Sequence, residues 1–376
     1  MESAFYHGCA LLLEGAWRTG MGVLCQAGRI AAILPDTATP PAPRVALPPE
    51  ALLAPGFVDV QVNGGGGVLF NDDPTARAAR HIAAAHRHLG TTSIMPTLIT
   101  STRATMHGTE PVSGPGVLGI HFEGPFLSPQ RPGVHRCDYI RAPDEADVVF
   151  LQGVAGRCPV LLTVAPECVP HAVMARLAAS SVVIAAGHSA AAFEDVRPPV
   201  RGITHIFNAM PPAGARAPGL VAAGLLGDVF AGVIMDGIHV HPAMLRLLLA
   251  AKPVERVMLV SDSMSVAGTG ATEFMLQGRR IVRRDGRLTT EDGTLAGADL
   301  SMAQAVRNAV SMLALSPAQA IAMATEVPAN FMRVQHDLGR IAVGLRADFV
   351  LLSPALEVLG TVLAGAFQAV PGALAA

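Results

Sequence analysis

The sequence predicts an α/β protein: a (β/α)8 TIM-like barrel, a small β-sandwich domain built from both chain ends, and a β-hairpin insertion. Three observations predict it. Beyond residue 50, short apolar runs of about four to eight residues alternate with helical patterns, the signature of βαβ units and a parallel sheet. The runs number eight, which fits a closed barrel, with an open doubly wound sheet as the alternative. Both ends of the chain instead read as short strands separated by turns.

Taken in order, residues 1–50 form the first part of the small β-domain, with strand-like pieces in ALLLEGAWRTGMGVLCQAGRIAAIL followed by a Pro-rich stretch, 35–49, that reads as a linker. Residues 51–335 form the barrel. Its strands are expected at 56–63, 92–98, 117–123, 160–166, 182–188, 202–207, 232–236 and 257–262. The clearest helix runs from Pro74 to Leu89, with Asp73 as N-cap, Pro74 at the first helical position and Gly90 as the stop. Further helices are expected at 170–180, 242–251, 300–314 and 317–325. The insertion, about 272–295, carries the turn pairs Gln277-Gly278 and Asp285-Gly286. Residues 336–376, including GRIAVGLRADFVLLSP, complete the small β-domain.

Composition narrows the function. Of 376 residues, 51% are hydrophobic and 15% charged, which excludes a disordered chain or a coiled coil. No apolar stretch reaches the ~20 residues of a bilayer span, so no membrane association is expected. The 27 basic and 29 acidic residues leave a net charge of -2, with no footprint for nucleic acid. Small-molecule chemistry is what remains. Lys252 is the only lysine, and it sits between a helical run and Pro253, a poor place for a Schiff base or a carbamylated metal bridge. Five cysteines without a C-x-x-C pair suit a reducing compartment, and the acidic, non-basic start does not read as a signal peptide; a cytoplasmic protein is expected.

Ionisable residues gather where the predicted strands end. Glu123, His188 and Asp262 close the third, fifth and eighth; His205 lies in the sixth, and His239 follows the seventh. In a barrel these would share one mouth. A carboxylate and two imidazoles match a catalytic metal site with one open position, and Asp262 opposite them suits proton transfer. Taken one at a time, each histidine reads more readily as a hydrogen-bonded, half-buried side chain. His81, His86 and His88 are expected on a solvated helix face. His121, His241, Asp59 and Asp236 read as packing, capping or turn residues as readily as functional ones. The run Gly64 to Gly67 lacks a following Lys-Ser/Thr and reads as a tight loop rather than a phosphate cradle.

In order along nearly the whole chain stand APGFVDVQVNGGGG, GTTSIMPTLIT, GIHFEGPFL, RPGVH, TVAPE, AGHSAA, THIFNAMPPAGARAPG, MDGIHVHP, LVSDSM, GTLAGADLSM and GRIAVGLRADFVLL. This series resembles the N-acetylglucosamine-6-phosphate deacetylases of the amidohydrolase superfamily. The resemblance implies one divalent metal ion per subunit, zinc first with iron, manganese or cobalt as alternatives, held by Glu123, His188 and His205. It implies Asp262 as general base and then acid, and His135 polarising the acetyl carbonyl. Asn208 and Ala209 would present donors to a small-molecule sugar phosphate. Arg216 and His239 would reach the phosphate from the neighbouring subunit of a homodimer. Gln61-Val62-Asn63 stands where many amidohydrolases carry His-x-His for a second metal, which favours a one-metal site. The expected reaction is deacetylation of N-acetylglucosamine 6-phosphate, with the galacto epimer or a non-catalytic amino-sugar-phosphate barrel as alternatives.

Overall fold

The computed structural model describes residues 3–373. Its centre is a ring of parallel strands, Phe57–Val62, Thr91–Ile99, Ile120–Glu123, Val160–Val164, Val182–Ala186, Val200–Ile203, Phe230–Ile234 and Val257–Val260, paired in chain order. The ring closes where the eighth strand meets the first: Val62 bridges Ser263, and the Asp262 N–H donates to the Gln61 carbonyl over 3.0 Å. That seam makes the sheet a barrel and excludes the open doubly wound alternative. The first five of these strands are buried at every residue, which is why they read as continuous apolar runs rather than alternating ones.

Helices wrap the ring. The first, Ala76–Arg87, buries Ala78, Ala79, Ile82, Ala83 and His86 on one face. Its cap is Thr75 and not Asp73: the Thr75 hydroxyl accepts from Ala78 N–H at 3.2 Å, while Asp73 pairs with Arg77. His86, expected in solvent, is wholly buried on that apolar face. The sole lysine ends helix Pro242–Ala251, where its Nζ donates to the carbonyls of Gly227 at 2.9 Å and Val229 at 2.8 Å. Two carbonyls satisfy a buried ammonium there, so Lys252 ties its helix to the turn that enters the preceding strand and takes no part in the barrel mouth.

The expected hairpin insertion is longer than the sequence reading placed it. Glu273–Leu276, Arg279–Arg284, Arg287–Thr289 and Leu295–Ala298 form a four-stranded antiparallel meander. Both predicted turns are present, with φ of 48° and 83° at Gln277-Gly278 and 50° and 71° at Asp285-Gly286, the paired left-handed geometry of tight hairpins. The last strand was illegible because LAGA has almost no β-branched content. It matters for position, since Ala298 N–H donates to the Asp262 carbonyl at 2.8 Å and so ties the meander to the barrel seam.

Two further sheets form the small β-domain, and the second of them joins the two ends of the chain. One joins Ala4–His7, Met21–Gln26, Arg29–Pro35 and Arg44–Ala46; the other joins Ala10–Leu13, Ala16–Arg18, Leu52–Pro55, Phe349–Leu352, Val358–Leu363 and Ala366–Ala369. The stretch read as a Pro-rich linker therefore contributes a strand, because Arg44, Val45 and Ala46 stand between its prolines and pair in parallel with Phe5, Tyr6 and His7. Tyr6, Val23, Ile30, Leu53, Phe349 and Leu351 fill the space between the sheets. Among the described residues no helix is long and apolar enough to cross a membrane.

Candidate active site

A cavity of about 350 Å³ opens at the carboxyl ends of the barrel strands, and Glu123, His135, His188, His205, Asn208, Ala209, His239 and Asp262 all line it. Each arrives on a strand end or on the loop that follows, so the predicted mouth is where the ionisable side chains meet. Arg216 is the exception: it is exposed on the loop before helix Gly219–Leu226 and does not line this cavity. His239 lines the cavity of its own chain, whereas the resemblance implied that it reaches a neighbour's.

Three donor atoms converge at the base. Glu123 Oε1 lies 3.0 Å from His205 Nε2 and 3.3 Å from His188 Nε2, and the two imidazole nitrogens are 3.1 Å apart. A tetrahedral ion bound at ~2.0–2.1 Å sets its ligands roughly 3.3 Å apart, so this triangle fits a small divalent metal. The donor chemistry fits too. His188 Nδ1 donates to the Arg131 carbonyl at 3.1 Å, which places its hydrogen there and turns the Nε2 lone pair towards Glu123 and His205. Burial opposes ionisation of Glu123, but the two imidazoles beside it outweigh that and hold the carboxyl well below its usual range.

His135 stands beside this triangle, and Glu123, His135 and His188 make a second, looser cluster of ligand-type atoms. Its Nε2 is 4.0 Å from Glu123 Oε2, against 3.0–3.3 Å within the first triangle. Its Nδ1 is engaged by Thr100, whose hydroxyl lies at 2.8 Å and whose N–H points at it from 3.4 Å. With Nδ1 accepting, the ring hydrogen sits on Nε2. Burial, reinforced by His188, holds the imidazole well below its ordinary value, so this is a neutral donor rather than a ligand or a cation.

Asp262 faces the triangle from the seam. Asn63 Nδ2 donates to its Oδ1 at 2.7 Å and Gln61 Nε2 at 3.3 Å, and the same Gln61 amide donates to Glu123 Oε1 at 3.0 Å. Where a second metal would need lone pairs, this chain presents amide hydrogens; the pair supports one metal and leaves Asp262 Oδ2 for proton transfer. Burial, with the Glu123 charge adding to it, raises the Asp262 carboxyl to about 6. His188, His205, Phe207, Ala209 and Asp262 all have φ between 27° and 79°, a concentration of left-handed non-glycine backbone around one cavity.

Other singled-out residues resolve into supports. His121 lies under the site, between Thr97 at 3.1 Å and Thr163 at 2.8 Å. His241 caps its helix by accepting from Ala243 N–H. Asp59 accepts the N–H groups of Gln61 and Ser261, one on each side of the seam. Gly64 to Gly67 form a tight turn leading into Val68, and a Cβ on Gly64 would meet the Val68 carbonyl at 2.4 Å. Sequence reasoning missed Glu167, which accepts from Ser189 Oγ at 2.7 Å and Ala190 N–H at 2.6 Å and so pins the loop after His188. It also missed Thr294 and Leu295 of the insertion, which form part of the cavity wall. The place of TVAPE at the end of the fourth strand was the available signal for Glu167.

A family model described as the amidohydrolase family matches residues 52–367. The N-acetylgalactosamine-6-phosphate deacetylase of Shewanella sp. (strain ANA-3) is 39% identical over 326 residues, covering 83% of this chain and 82% of that protein. The N-acetylglucosamine-6-phosphate deacetylase of Homo sapiens is 36% identical over 344 residues, covering 84% and 82%. The crystal structure of N-acetylglucosamine-6-phosphate deacetylase from Pasteurella multocida superposes with a TM-score of 0.91 at 30% identity, covering 98% of this chain and all of that one (100%).

Proposed function

The chain belongs to the amidohydrolase family, and from that premise we propose that it hydrolyses the acetamide of N-acetyl-D-glucosamine 6-phosphate, giving D-glucosamine 6-phosphate and acetate. The observation that carries the reading is the placement of Asp262 beside the Glu123, His188 and His205 triangle in one cavity.

One divalent ion, zinc by preference, would be held by Glu123, His188 and His205. When bound it supplies Lewis acidity, lowering the pKa of water and polarising a carbonyl. Asp262 accepts the proton of the attacking water on Oδ2, its Oδ1 being held by Asn63, and returns that proton to the departing amine. Neutral His135 donates from Nε2 to the developing oxyanion. Asn208, Ala209 and His239 line the same cavity and would contact the sugar phosphate. A homodimer completes the site in this reading, with the exposed Arg216 brought to the phosphate by a second copy. Two observations support that: Arg216 makes no ion pair among the described residues, and Leu226 and Leu247 on the adjoining helices are 71% and 46% exposed. A cytoplasmic setting accords with the free cysteines.

The galacto epimer is the second reading, because the Shewanella relative carries that name. Measuring kcat/KM for both epimers, each with and without the 6-phosphate, tests the assignment. The gluco 6-phosphate is expected to be turned over best. A preference of about tenfold or more for the galacto epimer replaces the substrate, and no dependence on the phosphate removes it from the recognition.

A further inference from the structure

The geometry points to Asp236 as a positioning residue for the sugar phosphate: one of its oxygens builds the turn, and the other fixes the His239 ring against the cavity and balances its charge when a phosphate dianion docks. The inference rests on the 6-phosphate reading above.

The division of labour is visible in the distances. Asp236 Oδ1 accepts the N–H groups of Ile238 and His239, both at 2.8 Å, closing the turn after the seventh barrel strand. Asp236 Oδ2 lies 2.6 Å from His239 Nδ1, and both side chains are only 7% exposed. A ring that donates from Nδ1 to a carboxylate has one nitrogen left, Nε2, and among the described residues that atom has no hydrogen-bond partner. The cavity's lining contains no arginine or lysine, and of its four imidazoles two belong to the proposed metal triangle and His135 stands against it with Nδ1 taken by Thr100. Within one chain His239 is therefore the basic side chain left to meet a dianion, beside the amide donors of Asn208 and Ala209. To donate from Nε2 as well as Nδ1 the ring must carry both protons, and a carboxylate in contact at Nδ1 offsets that charge, as in any carboxylate–imidazole pair that stabilises an imidazolium. Across the cavity the ring interacts electrostatically with Asp262, and Glu123 lines the same cavity; the helix behind the turn, Met302–Leu313, contributes Asn308, which donates to Met235 O, and Met312, neither of which titrates.

Asp236→Asn retains the turn acceptor and removes only the charge facing Nδ1, which makes it the informative variant. Steady-state kinetics on N-acetylglucosamine 6-phosphate and on the unphosphorylated sugar, for wild type, Asp236→Asn, His239→Gln and the double variant, decide the matter. Asp236→Asn is expected to raise KM for the phosphorylated sugar about tenfold with kcat within about twofold, the scale of one charge-assisted contact. It is expected to leave kcat/KM for the unphosphorylated sugar unchanged and to add nothing once His239 is Gln. An equal loss on both sugars, or a full tenfold loss with His239 already replaced, overturns the inference and leaves the deacetylase reading standing. Equal wild-type activity on the two sugars removes the phosphate reading and this inference with it.

Discussion

Asn63 Nδ2 donates to Asp262 Oδ1 over 2.7 Å, joining the end of the first barrel strand to the end of the eighth across the seam that closes the ring. The bond holds Oδ1, which leaves Oδ2 as the oxygen that would take the proton in the proposed mechanism. Asn63→Ala removes it without touching a metal-site donor. The expected result is a fall in kcat of roughly 10–100-fold, the usual cost of losing a supporting contact at such a site, with bound zinc unchanged. Loss of zinc in proportion to activity would show that Asn63 serves the metal instead.

The pH–rate profile follows from the same carboxylate. Burial first, and then the Glu123 charge, raise Asp262 to about 6. A general base works ionised, so kcat/KM falls as pH drops through that value; a bound divalent cation favours the ionised form and moves the limb lower. The acid limb is therefore expected at or below about 6 and absent in Asp262→Asn. A limb at 7 or above in zinc-loaded enzyme contradicts the assignment.

Asp59 makes a stability prediction of opposite character. Burial raises it from 3.8 to about 7, against the N–H groups of Ser261 and Gln61 that favour its charge, and its Oδ2 has no partner. The folded state thus holds the proton more tightly than the unfolded chain. Stability is fullest below the unfolded value and is lost as pH rises towards the folded one. The Tm of Asp59→Asn minus that of wild type is expected to grow between about pH 4 and pH 7 and to level off above. A difference independent of pH would show that Asp59 is ionised throughout.

His86 anchors the glycine turn from behind. Its Nε2 lies 2.9 Å from the Gly64 carbonyl and 3.3 Å from Ser263 Oγ, next to Asp262. His86→Ala leaves both atoms buried without this partner and opens a cavity, so a loss of about 2–4 kcal/mol in unfolding free energy is expected, read by denaturant titration. An unchanged midpoint would show that the contact contributes nothing.

These residues also show where reading the sequence succeeds and where it stops. The barrel strands were legible because strands buried on both faces are continuous apolar runs; Glu123 closes its strand as expected, while His188 and Asp262 lie two residues beyond the ends of theirs, on the loops that follow. His86 was not legible: three histidines on one helix look solvated, and only the glycine turn folding back onto them buries the middle one. The meander's last strand was missed for a related reason, since LAGA acquires its extended form from pairing with Arg287–Thr289 and not from its own propensity. Leu295 is carried to the cavity by its pairing with Thr289, and Thr294 by the turn just before it. The separation of His135 from the metal triangle required distances, because its spacing in RPGVH carries no information about which ring nitrogen is engaged.

The central claim is that Asp262 moves the proton in metal-dependent deacetylation at this site. Acetate release from N-acetylglucosamine 6-phosphate by zinc-loaded wild type and zinc-loaded Asp262→Asn tests it most directly. The account predicts one acetate for each glucosamine 6-phosphate formed by wild type and a rate at least ~100-fold lower in the variant at equal zinc content. Wild-type rates in the variant, or no acetate from wild type, would contradict it.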